Sequence, residues 1–299
     1  MSLDYILYFD VKNITRVTQP GNPRDGAGPD GRAISSSIWK GSGQQRGEMG
    51  ISFAEGDLRA VAVHGAASRP AIAALVTLFF GILARKLRGV SRSGAIAGMV
   101  VCFLLYAGAG PGAFAGLVSV FVLTWLATRV GYHKKRRMGT AEPLNGRTAQ
   151  QVLANLGVAA ACAGLYPATG KQVLLLGVAS ALSEAAGDTA SSELGQALSE
   201  RVLLITSWKQ VPAGTDGGIS VVGTLGGIMA ACVVSLVCAV TGLLPARWLG
   251  IAVTGAVVGI IADSYLGALF ERRKLLNNEG VNFLSTAVAA GVAMLLAAR

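Results

Sequence analysis

The sequence predicts an all-α membrane protein with about seven or eight transmembrane helices. Hydrophobic residues make up 52% of the 299 residues and charged residues only 14%, whereas soluble domains carry about 25% charged residues. The charges also cluster between apolar stretches whose lengths approach the ~20 residues that a helix needs to cross a bilayer. The short segments of alternating polarity that are typical of a membrane β-barrel are absent from the sequence.

Eight segments are apolar enough to form these helices. In chain order, the predicted helices cover residues 70–87, 94–109, 112–129, 149–167, 172–189, 218–242, 246–267 and 281–298. The fifth apolar run is short before polar residues begin, which predicts a helix that is broken or only partly exposed to lipid. Glycine pairs four residues apart favour close helix packing in lipid, and they occur at Gly94/Gly98, Gly112/Gly116, Gly223/Gly227 and Gly255/Gly259.

Residues 1–69 do not share this pattern. They are rich in Gly, Pro and charged residues, as in QPGNPRDGAGPDGR at 19–32. They also lack the secretory pattern of an apolar stretch followed by a cleavage site. We interpret residues 1–69 as a disordered or non-native N-terminal extension, with Met49 as an alternative start, and residues 70–299 as the helical transmembrane domain.

Lysine and arginine residues concentrate on one side of the predicted bundle. Most lie in connections such as ARKLRGVSR (84–92) and HKKRRMG (133–139), whereas the opposite connections contribute Lys171 and Arg247. Excess positive charge marks the cytoplasmic side. We expect an integral protein of a prokaryotic inner or plasma membrane, with its active site facing the cytoplasm. This distribution accounts for the net charge of +10 through topology and contacts with anionic lipid, without a nucleic-acid partner. The four cysteines lie inside apolar runs and need neither a disulfide nor a metal.

Polar residues gather on the same side, beginning with SEAAGDTASSELG (183–195). Glu184 and Asp188 are four residues apart, so they share one face of the fifth predicted helix. A carboxylate near the bilayer centre costs ~2.5–3.5 kcal/mol on insertion scales, and two adjacent negative charges cost more unless something neutralises them. Two interpretations stay open: the pair reaches headgroup water, or it serves a functional site.

Three further segments bring polar groups to that side. The segment 212–227 (PAGTDGGISVVGTLGG) enters the sixth helix with glycines that allow φ > 0 and with N–H groups that can bind an anion, and Asp216 stands at the predicted N-cap. Asp263 is embedded in the apolar end of the seventh helix, and Asn278 and Asn282 share a face at the start of the eighth. Such oxygen ligands suit Mg²⁺, which is held by one or two carboxylates together with substrate phosphates.

Two basic residues near these segments, Arg147 and Lys209, are candidates to bind phosphate oxygens, and a solvated surface position is the alternative for each. The sequence contains no Walker motif, no kinase Gly-rich loop and no GxSxG or HExxH motif, and His64 and His133 lie outside the polar segments. A phosphoryl-transfer enzyme built from these residues therefore differs from the common soluble types.

Five blocks of the sequence resemble, in the same order, the blocks of one integral-membrane family. They are NGRTAQQVLAN (145–155), SALSEAAGDTASSELG (180–195), GTDGGISVVGTLGG (214–227), DSYLGALFE (263–271) and NNEGVNFLST (277–286). The family includes transmembrane protein 19 and the phytyl-phosphate kinases of plants and cyanobacteria, and it is distantly similar to dolichol kinases. The resemblance covers roughly residues 70–298. In the second block, Gly187 and Ala190 stand where the family has alanine and tryptophan.

The resemblance implies a CTP-dependent kinase that phosphorylates an isoprenoid monophosphate of the phytyl or geranylgeranyl type to the diphosphate. It implies Mg²⁺ as the cofactor, CTP as the nucleotide co-substrate and membrane lipid as the surroundings, and a homo-oligomer stays open. The implied catalytic residues are Glu184, Asp188 and Asp263, which together with Asp216 also hold the metal. The implied nucleotide and phosphate ligands are Arg147, Lys209, Gly214, Thr215, Asp216, Gly217 and Gly218, and the implied ligands of the substrate head group are Asn278 and Asn282.

Two other functions stay open at the level of sequence. A cytidylyltransferase would use similar groups but would release pyrophosphate and leave a CMP-linked lipid. An ion-coupled transporter or lipid translocase also uses acidic residues within helices, but it places its site near the membrane midplane. The acidic residues of this chain cluster instead at one interface.

Overall fold

The computed structural model describes residues 53–142 and 145–299, and this part of the chain forms nine α-helices and one small sheet. The helices are α1 (Phe53–Lys86), α2 (Arg92–Leu104), α3 (Pro111–Arg129), α4 (Tyr132–Met138), α5 (Ala149–Thr169), α6 (Val173–Leu198), α7 (Val221–Val240), α8 (Leu249–Leu266) and α9 (Asn278–Ala297). A π-helical turn extends α2 over Leu105–Ala109 and another extends α8 over Gly267–Glu271, while a 3₁₀ turn (Ala246–Trp248) leads into α8.

Seven helical segments within the described residues are long and apolar enough to cross a membrane. They are the segments that contain α2, α3, α5, α6, α7, α8 and α9, and the π-helical turns count with the helices they extend. The prediction of a polytopic helical membrane protein is therefore confirmed, and six of the eight predicted helices agree with the structure to within a few residues at each end.

Two predicted helices have wrong ends. α6 runs unbroken to Leu198 instead of ending at residue 189, because neighbouring helices surround its polar residues and separate them from lipid. α1 begins at Phe53 instead of residue 70, since its first half is alanine-rich and helix-forming without being apolar enough to span a membrane. The predicted N-terminal extension thus overlaps a helix at residues 53–69, and its remainder, residues 1–52 with Met49, lies outside the described residues.

α6 is the central helix of the bundle. It packs against α3, α5, α7, α8 and α9, and 83% of its apolar span is buried compared with 28–39% for the other six spans. α2 packs on α5, and α1 packs on α2, so these two helices form an outer layer on one side. Because protein encloses α6, its polar side chains meet neighbouring helices instead of lipid.

Close contact between α6 and α7 depends on glycine. A Cβ atom at Gly227 would lie 2.7 Å from the carbonyl oxygen of Gly187, and a Cβ at Gly187 would lie 2.9 Å from the carbonyl oxygen of Gly227. The prediction that the Gly223/Gly227 pair serves close helix packing is therefore confirmed. The same contact accounts for glycine at position 187, where the resembling family has alanine.

A small antiparallel sheet lies between α6 and α7 in the chain. Its strands are β1 (Val202–Leu204), β2 (Gln210–Val211) and β3 (Gly218–Ile219), with β1 in the middle. Leu204 and Ile205 pack against Ala268 of the π-helical turn that follows α8. The sheet therefore fixes the connection that precedes α7 against the end of α8.

Candidate active site

A polar cavity of about 340 Å³ lies at one end of the bundle. It is formed where α6 and α8 end and where α5, α7 and α9 begin, together with the connections between them. All but two of the predicted site residues line it, namely Arg147, Asp188, Gly214, Thr215, Asp216, Gly217, Gly218, Asp263, Asn278 and Asn282. The structure thus brings together four polar segments that are far apart in sequence.

The carboxyl groups of Asp188 and Asp263 lie close together in the wall of the polar cavity. Oδ1 of Asp263 is buried and has no hydrogen-bond partner among the described residues. A buried carboxylate oxygen without a partner is costly. This pair therefore needs a cation or a hydrogen-bond donor from a bound molecule.

Glu184 does not line the polar cavity. It lies one helical turn deeper on α6, only 1% exposed, and its Cγ occupies space that a Cβ at Gly259 would require. Its Oε1 also has no hydrogen-bond partner in the described part of the chain. Glu184 is therefore placed beneath the Asp188 and Asp263 pair, without direct access to a ligand in the cavity.

The backbone around Arg147 is fixed by the turn between α1 and α2. The amide of Arg147 donates to the carbonyl of Gly89 at 3.1 Å, and the carbonyl of Arg147 accepts from the amide of Ser91 at 2.9 Å. Nη2 of Arg147 donates to Oγ1 of Thr189 at 3.2 Å, which is the residue that follows Asp188. The guanidinium group is thus held in the cavity wall beside the carboxylates.

The glycine-rich connection from Gly214 to Gly218 forms another wall. Gly217 has φ +73° and lies so close to Ala268 that no side chain would fit there. Its carbonyl accepts from the amide of Ile205 at 3.0 Å, so the sheet holds the connection in place. The prediction that Asp216 is the N-cap of the next helix is wrong: Ser220 is the N-cap, and its Oγ accepts from the amide of Gly223, because β3 separates Asp216 from α7.

One predicted head-group ligand, Asn282, contacts a residue that the sequence did not indicate. Nδ2 of Asn282 donates to Oδ1 of Asn155 at 3.4 Å, and Nδ2 of Asn155 donates to the carbonyl of Gln151 at 2.9 Å. Gln151 and Asn155 also line the polar cavity, as does Asn278 at the start of α9. The sequence feature that could have indicated Asn155 is its spacing from Gln151: two amide side chains lie one turn apart at the start of the apolar helix α5.

A buried ion pair supports the cavity from behind. Glu193 lines the cavity and pairs with Lys135, whose side chain is completely buried and also donates to the carbonyl of Thr128 at 2.8 Å. Lys135 belongs to the basic run 133–139, which the sequence assigned to membrane topology. Its neighbours Arg136 and Arg137 are exposed, so a charge run cannot reveal which member folds inward.

Lys209 lies outside the polar cavity, contrary to the predicted role in phosphate binding. It is exposed on the turn between β1 and β2, where its carbonyl accepts from the amide of Leu204 at 2.9 Å. The turn closes through Trp208 at φ +56°. Lys209 is thus exposed and does not line the cavity that the loop 214–218 borders.

Within the described ranges, no three Asp, Glu, His or Cys side chains are arranged to hold a metal ion by themselves. Of the four predicted metal ligands, Glu184 lies beneath the cavity, and Asp216 lies in the cavity wall near Glu271. Asp188 and Asp263, one with an unpartnered oxygen, fit a Mg²⁺ ion that takes its other ligands from substrate phosphates and water. The predicted magnesium site stays a prediction and centres on these two residues.

Comparison with known proteins gives a family match over most of the chain. A family model described as "Integral membrane protein DUF92" matches residues 75–290. An uncharacterised membrane protein of Methanocaldococcus jannaschii is 34% identical over 228 residues, which cover 75% of this chain and 93% of that protein. Protein VTE6, chloroplastic, of Arabidopsis thaliana is 30% identical over 217 residues, covering 70% of this chain and 65% of that protein. No solved structure matches.

Proposed function

Because this chain belongs to the integral membrane family DUF92, we propose that it is a kinase that transfers the γ-phosphoryl group of CTP to an isoprenoid monophosphate. The products are the isoprenoid diphosphate and CDP. The similarity to protein VTE6 and the resemblance of the five blocks to phytyl-phosphate kinases support this activity. The observation that carries it is the polar cavity, in which carboxylates, an arginine and a glycine-rich connection meet at one end of a membrane bundle.

The residues of the cavity suit phosphoryl transfer. In the proposed step, an oxygen of the acceptor phosphate forms a bond to the γ-phosphorus, the bond to the bridging β–γ oxygen breaks, and CDP leaves with that electron pair. Such a reaction requires positioning and neutralisation of spreading negative charge. An ionised phosphate acceptor is already nucleophilic, so the protein needs no general base.

Arg147 would hold the acceptor phosphate, because its guanidinium group presents several N–H donors to phosphate oxygens. The connection from Gly214 to Gly218 would approach the triphosphate closely, since its glycines leave the backbone uncovered. Asp188 and Asp263 would hold Mg²⁺, which when bound neutralises charge on the triphosphate. Asn278 and Asn282 would position the head group by donating hydrogen bonds.

We place the polar cavity at the cytoplasmic face. The basic residues that mark this side in the sequence lie on the same connections that form the cavity, including Arg147 and the run 133–139. Excess Lys and Arg favours the cytoplasmic side, where CTP is available. Most of the cavity wall comes from connections and from the parts of the helices next to them, whereas a transporter places its site near the midplane.

An assay of nucleotides against lipid acceptors tests this function. Purified protein in lipid nanodiscs receives Mg²⁺, CTP labelled at the γ-phosphorus, and phytyl, geranylgeranyl or farnesyl phosphate, with ATP, GTP and UTP in parallel. We expect labelled isoprenoid diphosphate and CDP from the unaltered protein and not from the Asp188→Asn variant. Transfer of label from the α-phosphorus with release of pyrophosphate would indicate a cytidylyltransferase. Absence of labelled lipid for every pair of nucleotide and acceptor would contradict both enzyme functions.

A further inference from the structure

A second cavity of about 120 Å³ lies between α1, α2, α3 and α5. Its walls are mainly apolar, and we call it the apolar groove; the side chains that define it are Phe80, Leu117, Val120, Phe121, Val152 and Leu156. The rings of Phe80 and Phe121 pack edge to face with centroids 5.4 Å apart. None of the predicted site residues except Arg147 lines this groove.

The apolar groove and the polar cavity meet at one place. Glu142, Arg147, Gln151 and Asn155 line both of them. A molecule at this junction would therefore meet the guanidinium group of Arg147 and the amides of Gln151 and Asn155 on one side, next to the Glu142 carboxylate to which Nε2 of Gln151 donates at 3.5 Å, and aliphatic and aromatic side chains on the other. This arrangement complements an amphiphile with an anionic head and an apolar chain.

We propose that the apolar groove binds the isoprenoid chain of the acceptor while Arg147 holds its phosphate at the junction; this assignment of the chain rests on the proposed function. The chain would extend from the junction, passing between α2 and α3, toward Phe80 and Phe121, where its methyl and methylene groups would pack against these side chains. Because the chain leaves lipid and not water, its binding would depend on van der Waals packing in the groove. The groove would hence contribute selectivity for the chain, and the polar cavity the chemistry.

Gly98 sets the free space in the groove. It lies on the inward face of α2, at helical spacing from Gly94, Val101 and Cys102, all of which are buried. Gly98 lines the groove, and a Cβ atom there would have no heavy atom of the described residues within 4 Å. The first atom of a side chain at position 98 would therefore enter the groove without a clash, and a larger side chain there would shorten the room for a lipid chain.

The variant Gly98→Phe tests this inference against a matched control. Gly291 lies in the interior of α9, half-buried like Gly98, and a Cβ there also meets nothing within 4 Å, but it lines neither the groove nor the cavity. We expect Gly98→Phe to raise KM for geranylgeranyl phosphate by roughly tenfold or more. KM for geranyl phosphate should change less and KM for CTP should not change, and Gly291→Phe should resemble the unaltered protein.

A binding measurement without nucleotide separates this inference from the kinase function. Geranylgeranyl phosphate should raise the thermal unfolding midpoint of the unaltered protein and of Gly291→Phe, and this increase should shrink in Gly98→Phe. An undiminished increase in Gly98→Phe would overturn the groove whether or not phosphoryl transfer occurs. A diminished increase in a protein that transfers no phosphoryl group would retain the groove and remove the kinase function.

A photoreactive lipid provides a measurement that does not depend on folding of the Gly98→Phe variant. Geranylgeranyl phosphate with a diazirine at the far end of its chain is bound to the unaltered protein and irradiated, and the labelled peptides are identified. We expect labels on α1 and α3 near Phe80 and Phe121. Labels confined to α7 and α8 would place the chain on another surface and overturn the proposal. The less bulky Gly98→Leu repeats the kinetic comparison if Gly98→Phe is unstable.

Discussion

The polar cavity and the apolar groove share four residues but differ in how the chain builds them. The polar cavity collects short polar stretches from the ends of α6 and α8 and from the beginnings of α5, α7 and α9, whereas the groove uses the apolar faces of α1, α2, α3 and α5. In the proposed function, this difference would separate two kinds of ligand, one soluble in water and one soluble in lipid. Arg147 borders both the cavity and the groove, so the phosphate groups of the two proposed ligands would meet beside it.

The comparison also accounts for acidic residues inside an apolar helix. Asp188 and Glu184 lie on α6, the helix that protein surrounds most completely. These carboxyl groups therefore do not contact lipid. The remaining cost is the crowding of acidic side chains around the polar cavity. A bound cation can offset this cost, whereas the groove requires no such partner for its aliphatic walls.

The largest effect is expected from breaking the ion pair behind the polar cavity. Lys135→Met leaves the Glu193 carboxylate without its partner, which costs about 3–5 kcal/mol for a buried pair. The unfolding midpoint in detergent should fall strongly, and the double variant Lys135→Met, Glu193→Gln should recover much of the loss because no charge is left unpaired. Arg136→Gln, an exposed neighbour on α4, is the control and should change stability by no more than about 0.5 kcal/mol.

If Glu193 instead binds substrate in the polar cavity, the double variant would regain stability yet lose activity. If the double variant is as unstable as Lys135→Met alone, the ion pair is not what Lys135 contributes. The two outcomes distinguish a structural role of Glu193 from a role in binding substrate. Neither outcome bears on the apolar groove, which Glu193 does not line.

The next largest effect concerns the two carboxylates of the polar cavity. Asp188→Asn and Asp263→Asn retain the shape of each side chain but remove its charge, and each should lower kcat by roughly 10²–10³-fold, as loss of an electrostatic group in other active sites does. Thermal stabilisation by geranylgeranyl phosphate should persist, because the groove and Arg147 are intact. Glu200→Gln, which removes an exposed carboxylate beyond the end of α6, should leave kcat unchanged.

Loss of lipid binding in both aspartate variants would show that the cavity and the groove are not separate. Unchanged kcat in either variant would remove that residue from the proposed magnesium site. The measurements needed are steady-state kinetics for CTP and thermal unfolding with the lipid phosphate.

A smaller effect is expected at the junction. Arg147→Gln removes a charged hydrogen-bond donor worth about 1.5–3 kcal/mol, so KM for the acceptor should rise roughly 10- to 100-fold. The increase should be the same for geranyl, farnesyl and geranylgeranyl phosphate, because the head group is common to all three. Arg137→Gln on the exposed face of α4 is the control. An increase that depends on chain length would place Arg147 along the chain and contradict its position at the phosphate.

The sequence indicated which residues line the polar cavity better than it indicated how deep each of them lies. Asp188, Asp263 and the connection 214–218 could be found because acids and glycine-rich stretches are out of place beside apolar helices. The same signal gave Glu184, but helical spacing only says that Glu184 and Asp188 share a face. Which of the two lies beneath the other depends on where α8 and α9 cross α6, and one sequence does not contain that information.

The groove and the ion pair could not be predicted for a related reason. Apolar positions of α1, α2 and α3 resemble lipid-facing positions, because bilayer and groove are equally apolar solvents for a side chain. Lys135 resembles its exposed neighbours in the basic run, and only the position of Glu193 distinguishes it. For α1 and α6, hydropathy marked the apolar part of each helix and missed the part that is less apolar in sequence.

The smallest effect is expected at Lys209, which the sequence assigned to phosphate binding and the structure places on an exposed turn. Lys209→Gln should change KM for CTP by less than about twofold, since a solvated charge outside the cavity is screened over ~8–10 Å at physiological salt. The measurement is KM for CTP at low and at physiological ionic strength, with Arg147→Gln assayed beside it. An increase of tenfold or more that persists at physiological salt would mean that the β1–β2 turn folds over the polar cavity when the nucleotide binds. The cavity would then be only part of the nucleotide site. The two regions would also differ in mechanism, because the cavity would close around its ligand whereas the groove is already formed.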